Sequence, residues 1–293
     1  MERWIGKVAL VTGASSGIGR AIAFSLAEHG MIVLAVARRE SKLKELEDSA
    51  KGLKGEIHIK VADVTKEEDV IATVQFADKQ LGGLHVLVNN AGTSYCTKVL
   101  DCNLEHWRTM FDLNVFGLGM CTREAVACMK RSNIDDGHII NISSISGQGL
   151  PTGTGKHIYC ATKHAVRLIS AGIRAELNEQ KSGIKITTIC PGVVSTEIFN
   201  VGGWQLPADL PALEDKDIAA AVVSALATPP NVLVSLLAVS VAALLEILLV
   251  KKTFSKEEFI FFQDLKFFYH INSPLRQQPQ NWTLFDISVP FIS

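Results

Sequence analysis

A doubly wound, mostly parallel α/β sheet with helices on both faces is the fold class the sequence predicts, and three observations predict it. Short apolar runs of strand length alternate with helix-length segments from residue 7 to about residue 189, the pattern of strands joined by crossover helices. The turn from the first strand into the first helix is glycine-rich, Thr12-Gly13-Ala14-Ser15-Ser16-Gly17-Ile18-Gly19. Polar and glycine-containing clusters also follow later strands, at the carboxyl edge where such sheets bind ligands.

The first strand is the apolar run Lys7–Val11, and Ile18–Ala27 repeats apolar residues at helical spacing. Between them the glycine turn lets backbone N–H groups approach a phosphate, and the helix N-terminus favours the negative charge. A plain tight turn is the bland alternative. The second strand, Met31–Val36, ends in Ala37-Arg38-Arg39. An acidic residue usually stands here to hold the ribose hydroxyls of NAD; this chain offers two guanidiniums instead. Each charge-assisted hydrogen bond to a 2′-phosphate contributes about 1.5 to 3 kcal/mol, so Arg38 and Arg39 predict NADP(H) over NAD(H). The alternative is two solvated arginines at a helix start.

The alternation continues with a helix around Ser41–Lys51, a strand at Glu56–Val61, a helix at Lys66–Gln80 and a strand at His85–Val88. Asp63, with Val64 beside it, follows the third strand and is placed to accept from an adenine amino group; capping the next helix explains it equally well. Asn89-Asn90-Ala91-Gly92 follows the fourth strand. A long helical pattern, Leu104–Lys130, carries Asn114 inside it. Asparagine is mildly unfavourable there because its side chain competes for backbone groups, so it is either exposed or holds a water. The fifth strand, Gly137–Ile142, delivers Ser143-Ser144, and a glycine-rich loop leads to a helix over Tyr159–Glu179. A sixth strand, Ile184–Ile189, ends in Cys190-Pro191-Gly192-Val193-Val194-Ser195-Thr196-Glu197.

Tyr159 and Lys163 stand four apart, one turn on the same helix face. An ammonium favours the neighbouring phenolate and would draw the tyrosine pKa toward neutrality. Moving it from about 10 to about 7 requires roughly 4 kcal/mol, which a unit charge about 4 Å away supplies at an effective dielectric of about 20. Alone, such a pair is more often a meeting on a helix surface.

Composition narrows the function. Of 293 residues, 47% are hydrophobic and 20% charged, with a formal net charge of -1, so no basic field exists to hold nucleic acid. The six cysteines show no Cys-x-x-Cys pair and no zinc-ligand spacing with histidine; no metal is expected, and reduced thiols in an intracellular protein are. Met1–Lys7 runs into the first strand without an apolar signal core, which disfavours a cleaved leader and points to the cytoplasm.

Taken together, Thr12-Gly13-x-x-x-Gly17-x-Gly19, Asn89-Asn90-Ala91-Gly92, Asn114, Ser144 with Tyr159-x-x-x-Lys163, and Pro191-Gly192 resemble the short-chain dehydrogenase/reductase family over about residues 5–230. The ordered set is specific where each motif is weak. The resemblance is strongest to the branch containing insect NADP-dependent farnesol dehydrogenases and vertebrate steroid/carbonyl reductases. It implies a Rossmann-like sheet and an NADP-dependent alcohol dehydrogenase or carbonyl reductase. Tyr159 would be the acid/base, Lys163 would lower its pKa and hold the nicotinamide ribose, and Ser144 would hydrogen-bond the substrate oxygen. Asn114 would anchor a water linking Lys163 to solvent. The cofactor positions implied are Gly13, Ser15, Ser16, Gly17, Ile18, Gly19, Arg38, Arg39, Asp63, Val64, Asn90, Ala91, Gly92, Tyr159, Lys163, Pro191, Gly192, Val194 and Thr196. For Ser143 a hydroxyl bonded to backbone is the expectation, and for His157 and His164 a surface role.

The resemblance places a substrate lid at Glu197–Leu213. Phe199, Trp204, Leu206 and Leu210 suit a lipophilic alcohol or ketone such as an isoprenoid, retinoid or steroid, or else pack the lid onto the core. A homo-oligomer is implied.

The composition changes near residue 230. All 22 glycines lie at or before Gly203, and eight of the 13 phenylalanines lie in Phe254–Phe291. We therefore divide the chain into a catalytic domain, residues 1–230, and an atypical apolar extension, residues 231–293. Residues 232–250 hold 13 Val, Leu or Ile and one charge, Glu246, before Lys251-Lys252. Three readings are open. A helix of that length spans roughly 28 Å, nearly a bilayer core; Val232-Leu233-Val234 begins a substitute seventh strand; or the segment does not fold stably. If the final strand is missing, the alternative function is an impaired NADP-binding relative with altered folding, dimerisation or membrane attachment.

Overall fold

The computed structural model describes residues 1–151, 153–204 and 210–241. Its elements are β1 Val8–Thr12, α1 Gly17–Glu28, β2 Ile32–Ala37, α2 Glu40–Ser49, β3 Glu56–Val61, α3 Glu67–Leu81, β4 Val86–Asn89, α4 Leu104–Phe111, α5 Leu118–Arg131, β5 His138–Ile142, α6 His157–Glu179, β6 Lys185–Pro191, α7 Ile198–Val201, α8 Asp215–Leu226 and β7 Leu236–Val239.

Strands that are apolar at every position belong inside a parallel sheet with both faces covered, and β1, Val-Ala-Leu-Val-Thr, is buried throughout. Its alternate residues serve the two faces. Ala9 and Val11 pack with Ile22, Leu26, Ile218 and Val222 of α1 and α8, whereas Val8 and Leu10 pack with Val74, Ala125 and Met129 of α3 and α5. The seven strands run in the order β3-β2-β1-β4-β5-β6-β7, and every pairing is parallel. The order reverses between β1 and β4. Crossovers leave in opposite directions there and open a crevice beyond the strand ends.

Two expectations are corrected. The helix expected over Leu104–Lys130 is interrupted by a π-helical segment, Asp112–Gly117, between α4 and α5. One extra residue in a turn rotates the helix beyond it, and Asn114 is turned inward, with 1% of its surface exposed. Gly117 sits where the chain passes under the Val64 carbonyl, 3.0 Å from where a Cβ would stand. This close approach holds the widened turn against the loop after β3.

The second correction concerns the final strand. The segment after residue 230 does complete the sheet, as one of the three readings has it, but the strand starts at Leu236 and not at Val232. Leu237 pairs with Ile189 and Val239 with Pro191. The approach is fastened by side chains of β6 and α6. Lys185 Nζ donates to the carbonyls of Pro229 (2.8 Å) and Val232 (2.7 Å), Thr187 Oγ1 to Val234 (2.6 Å) and Arg174 to Ser235 (3.3 Å). The compositional break at residue 230 thus falls ahead of the last strand, and the missing strand on which the impaired-relative alternative rested is present. With Leu236–Val239 in the sheet, residues 232–250 are not one membrane helix; among the described residues no helix is long and apolar enough to cross a membrane. Residues 242–250 and the Phe-rich stretch beyond lie outside the described residues. A chain ending at residue 230 is accordingly expected to be about 2–4 kcal/mol less stable than one ending at residue 241, since several ladder and side-chain hydrogen bonds go. Equal denaturation midpoints would refute this.

Candidate active site

The crevice is built from the first turn outward. Thr12 Oγ1 accepts from the N–H groups of Asn90 and Ala91, each at 3.1 Å, and Asn90 Nδ2 donates to the Thr12 carbonyl at 2.9 Å. These bonds bind the β1–α1 turn to the loop after β4. Gly13 has φ +68, and a Cβ there would stand 2.9 Å from Ala91 Cα; a Cβ on Gly19 would overlap Asn90 Nδ2 and the Gly13 carbonyl. Only glycine leaves this cradle open. Gly17, opening α1, faces the Thr196 side chain across the crevice. Ser15, Ser16 and Ile18 line the same turn at the N-terminus of α1.

Arg39, just before α2, closes the crevice on the β2 side. Its Nε and Nη2 donate to Ser15 Oγ at 3.1 and 3.0 Å, and Nη2 to Ser16 Oγ at 2.5 Å. Its Nη1 donates to Glu197 Oε2 at 2.9 Å. Arg38 lies 4.0 Å from Asp63. Asp63 does not cap α3, whose N-cap is Lys66; its Oδ1 accepts from Thr65 N and Oγ1. Burial raises the Asp63 pKa, but the Thr65 hydrogen bonds and the Arg38 and Lys66 charges outweigh it and the net displacement is downward. Val64 is buried beside it. Two serine hydroxyls, two guanidiniums and a glycine cradle at a helix N-terminus fit a dinucleotide bearing a 2′-phosphate.

Tyr159 and Lys163 lie in the first two turns of α6, against the carboxyl ends of β5 and β6. Lys163 is 5% exposed, and its Nζ donates to the Ile142 carbonyl at 3.0 Å. It lies 5.8 Å from the centre of the Tyr159 ring. Burial depresses its pKa from 10.5 to about 8, opposed slightly by the Cys190 thiol. The expectation that Tyr159 is drawn toward neutrality is not met: burial pushes the phenol up to about 12, and hydrogen bonding to Ser144 offsets only part of that rise. Desolvation of the phenolate exceeds what a lysine already bonded elsewhere returns. Ser144 Oγ accepts from Ser146 N at 3.1 Å and donates to the Pro191 carbonyl at 3.4 Å, while the Ser143 hydroxyl donates to the Lys163 carbonyl at 3.2 Å, the backbone role expected of it.

Asn114 does not stand alone. Its Oδ1 accepts from Thr93 N at 2.8 Å, and its Nδ2 donates to the Thr93 carbonyl at 2.9 Å and to Thr162 Oγ1 at 3.0 Å. Thr162 in turn donates to the Tyr159 carbonyl at 2.7 Å. Gly92 sits between Asn114 and Lys163; a Cβ there would be 3.3 Å from Asn114 Oδ1 and 3.7 Å from Lys163 Nζ. Thr12, Thr93 and Thr162 were not singled out from the sequence as site residues. Thr162 carried a signal, lying between Tyr159 and Lys163 in the same helix; Thr93 carried none.

A family model described as short chain dehydrogenase matches residues 7–202. The chain belongs to the short-chain dehydrogenase family. This short-chain dehydrogenase is 43% identical over 238 residues to a farnesol dehydrogenase of Aedes aegypti, a match covering 79% of this chain and 94% of the relative. It is 40% identical over 241 residues to dehydrogenase/reductase SDR family member 11 of Gallus gallus, with the same shares covered. Among solved structures, a closed form of serine dehydrogenase complexed with NADP+ superposes with a TM-score of 0.71 at 31% identity, covering 79% of this chain and 94% of that one. An alcohol dehydrogenase from the archaeon Thermococcus sibiricus, complexed with 5-hydroxy-NADP, gives 0.71 at 26% identity, covering 80% and 95%.

The far wall of this short-chain dehydrogenase's crevice comes from the ends of β4 and β6. Pro191 and Gly192 are held by β7, Gly192 N donating to the Val239 carbonyl at 2.7 Å. Val194 is buried and bridges to Leu213. The segment around α7 is sewn to the loop after β4: Cys96 N donates to the Gly202 carbonyl at 2.9 Å and Trp204 Nε1 to Ser94 Oγ at 3.0 Å. Tyr95 in that loop stacks on His106, with ring centroids 4.2 Å apart. Phe199 and Leu210 are half-buried, and Leu206 lies outside the described residues. His164 bonds within its own helix, Nδ1 to the Cys160 carbonyl at 2.8 Å, and all six cysteines are free.

Proposed function

We propose that this short-chain dehydrogenase is an NADP(H)-dependent oxidoreductase that interconverts a lipophilic primary or secondary alcohol and its aldehyde or ketone. The observation that carries the reading is one crevice in which Tyr159, one helical turn from the buried Lys163 ammonium and 5.8 Å from it at the ring centre, shares the carboxyl end of the sheet with Ser144, with the Arg39, Ser15 and Ser16 cluster at its other end. NADP(H), when bound, supplies or accepts the hydride. Gly13, Ser15, Ser16, Gly17, Ile18 and Gly19 would hold its pyrophosphate, Arg38 and Arg39 the 2′-phosphate, and Asp63, Val64, Asn90, Ala91 and Gly92 the adenosine. Pro191, Gly192, Val194 and Thr196 would flank the nicotinamide.

Each catalytic side chain has a task set by charge. Reduction of a carbonyl leaves negative charge on its oxygen, and the Ser144 hydroxyl donates to that oxygen as the charge develops. The Tyr159 hydroxyl gives its proton to the same atom, and the Lys163 ammonium favours the phenolate that remains. Asn114, pinned by Thr93 and Thr162, fixes the turn of α6 that presents Tyr159 and supports the water path to Lys163. Oxidation of an alcohol runs the same steps backward. Substrates of isoprenoid, retinoid or steroid type agree with half-buried Phe199 and with Tyr95 along the lid, and with the farnesol dehydrogenase name of the Aedes aegypti relative. Exposed Phe116 and Leu168 support assembly as a homo-oligomer through apolar surface.

The test is initial-rate measurement with NADPH and with NADH over a panel of lipophilic ketones and aldehydes. NADPH is expected to be preferred by about tenfold or more in kcat/KM, the value of one added charge-assisted bond. An NADH preference, or no turnover with any member of the panel, would overturn the proposal.

The ionisations also predict a direction. With Tyr159 near 12 the phenol is protonated throughout the neutral range, ready to donate. Carbonyl reduction is expected to be flat in pH up to about 8 and to fall above it as Lys163 loses its proton. Alcohol oxidation, which needs the phenolate, is expected to rise by about tenfold per pH unit through neutrality. A reduction rate that climbs between pH 7 and 9 would contradict the assignment.

A further inference from the structure

We propose that Glu197 occupies the 2′-phosphate site in the free protein, and that the phosphate of NADP(H), by displacing this carboxylate from Arg39, releases the segment Glu197–Trp204 that borders the substrate side. The inference rests on the cofactor reading above and extends it to the control of the lid.

Arg39 and Glu197 are 158 positions apart in sequence, on opposite sides of the crevice, yet Nη1 and Oε2 are 2.9 Å apart. The other guanidinium nitrogens of Arg39 are taken by Ser15 and Ser16. Arg39 therefore already holds one anion, framed by the two serine hydroxyls that would frame a phosphate. The Arg39 hydrogen bond, then that of Ser16, keeps the Glu197 carboxyl below the usual carboxylate range, and Lys42 adds to this. A carboxylate and a phosphate repel, so they cannot share the guanidinium fork.

The exchange is easily made in one direction. The Arg39 and Glu197 side chains are 47% and 56% exposed, so water screens the pair and it is weakly held. A phosphate dianion brings more charge and more acceptor oxygens to the same fork, with Arg38 alongside. NAD(H) presents a hydroxyl at that point and has no charge with which to compete, so it leaves the Glu197 pair in place.

What Glu197 lets go of is the lid. It is the residue immediately before α7, and the segment Glu197–Trp204 is fastened at its other end by Gly202 to Cys96 and by Trp204 to Ser94. The lid is thus stapled across both halves of the crevice, one staple on the cofactor side and one on the substrate side. Loss of the first leaves it hinged on the second. Glu197 is then a residue that biases opening of the substrate side toward the phosphorylated cofactor, by about fivefold, the scale of one exposed ion pair.

The experiment uses the full chain and two fragments that lack nicotinamide, adenosine 2′,5′-bisphosphate and adenosine 5′-monophosphate, in the wild type and in Glu197→Gln. Fragment affinity is measured by calorimetry and amide deuterium exchange over residues 198–203 by mass spectrometry. In the wild type the bisphosphate is expected to bind more tightly and to speed exchange several-fold, and the monophosphate to leave exchange unchanged. In Glu197→Gln exchange should be fast without ligand, and affinity should rise about fivefold for the bisphosphate alone, the scale of one exposed ion pair. If the wild type binds both fragments alike, Arg39 does not read the phosphate, and the cofactor reading falls together with this proposal. If the wild type prefers the bisphosphate but the variant matches it in affinity, in exchange or in both, the proposal falls and the cofactor reading stands.

Discussion

Replacing Tyr159 with Phe is expected to lower kcat by about 10³-fold, the scale of a lost general acid, while the affinity for NADPH and the melting temperature stay close to wild type. Tyr159 is half-buried, and its ring stands on α6 between Ile158 and Cys160, both buried. Phe keeps the ring and removes one hydroxyl, a change of about 1 kcal/mol or less where the partner retains another bond. Ser144, the hydroxyl nearest in role, keeps its own bonds to the Pro191 carbonyl and to Ser146 N. The loss therefore appears in kcat and not in folding. Binding is followed by the fluorescence change of NADPH, folding by thermal melts, and turnover with a ketone that the wild type reduces. More than a tenth of wild-type kcat in the variant would remove Tyr159 from the acid/base role.

How much of this was legible in the sequence depends on the range of each interaction. The Tyr159–Lys163 spacing, the glycine turn and the asparagine cluster after β4 are local patterns, and each lies where it was expected. The π-helical turn around Asn114 was not legible, because it changes a hydrogen-bond register by one residue without changing the apolar period on either side. The direction of the Tyr159 displacement was not legible either: helical spacing gives the distance to Lys163 but says nothing of desolvation or of the Ile142 carbonyl that takes the ammonium's proton donor. Glu197 was seen only as the start of a lid, since its partner is more than half the chain away. The apolar stretch after residue 230 carried a strand signal and a helix signal at once; the choice was made by Lys185, Thr187 and Arg174, which grip backbone carbonyls that any sequence would offer.

Lys163→Met separates catalysis from stability most sharply, because the two are expected to move in opposite directions. The folded-state pKa of Lys163 is depressed, from 10.5 to about 8, by burial. Below pH 8 the lysine is charged in both folded and unfolded chains, and the full cost of burying the charge, roughly 3 kcal/mol, weighs against the fold. Between about 8 and 10.5 the folded state gives up its proton first, so stability rises with pH across that window; above it the cost is gone. Methionine fills a similar volume without a charge, but it leaves the Ile142 carbonyl without the ammonium donor, which costs about 1 to 3 kcal/mol. At pH 7 the variant is therefore expected to melt at or slightly above wild type, and its advantage to shrink as pH rises from 8 to 10. On the proposed mechanism turnover is expected to fall by about 10²-fold or more, since Lys163 would be the group that favours the Tyr159 phenolate and holds the nicotinamide ribose. A variant that melts well below wild type at pH 7 yet keeps its turnover would mean that Lys163 holds β5 to α6 and takes no part in the chemistry. Lower activity in a protein that is at least as stable is the result that a merely structural lysine cannot give.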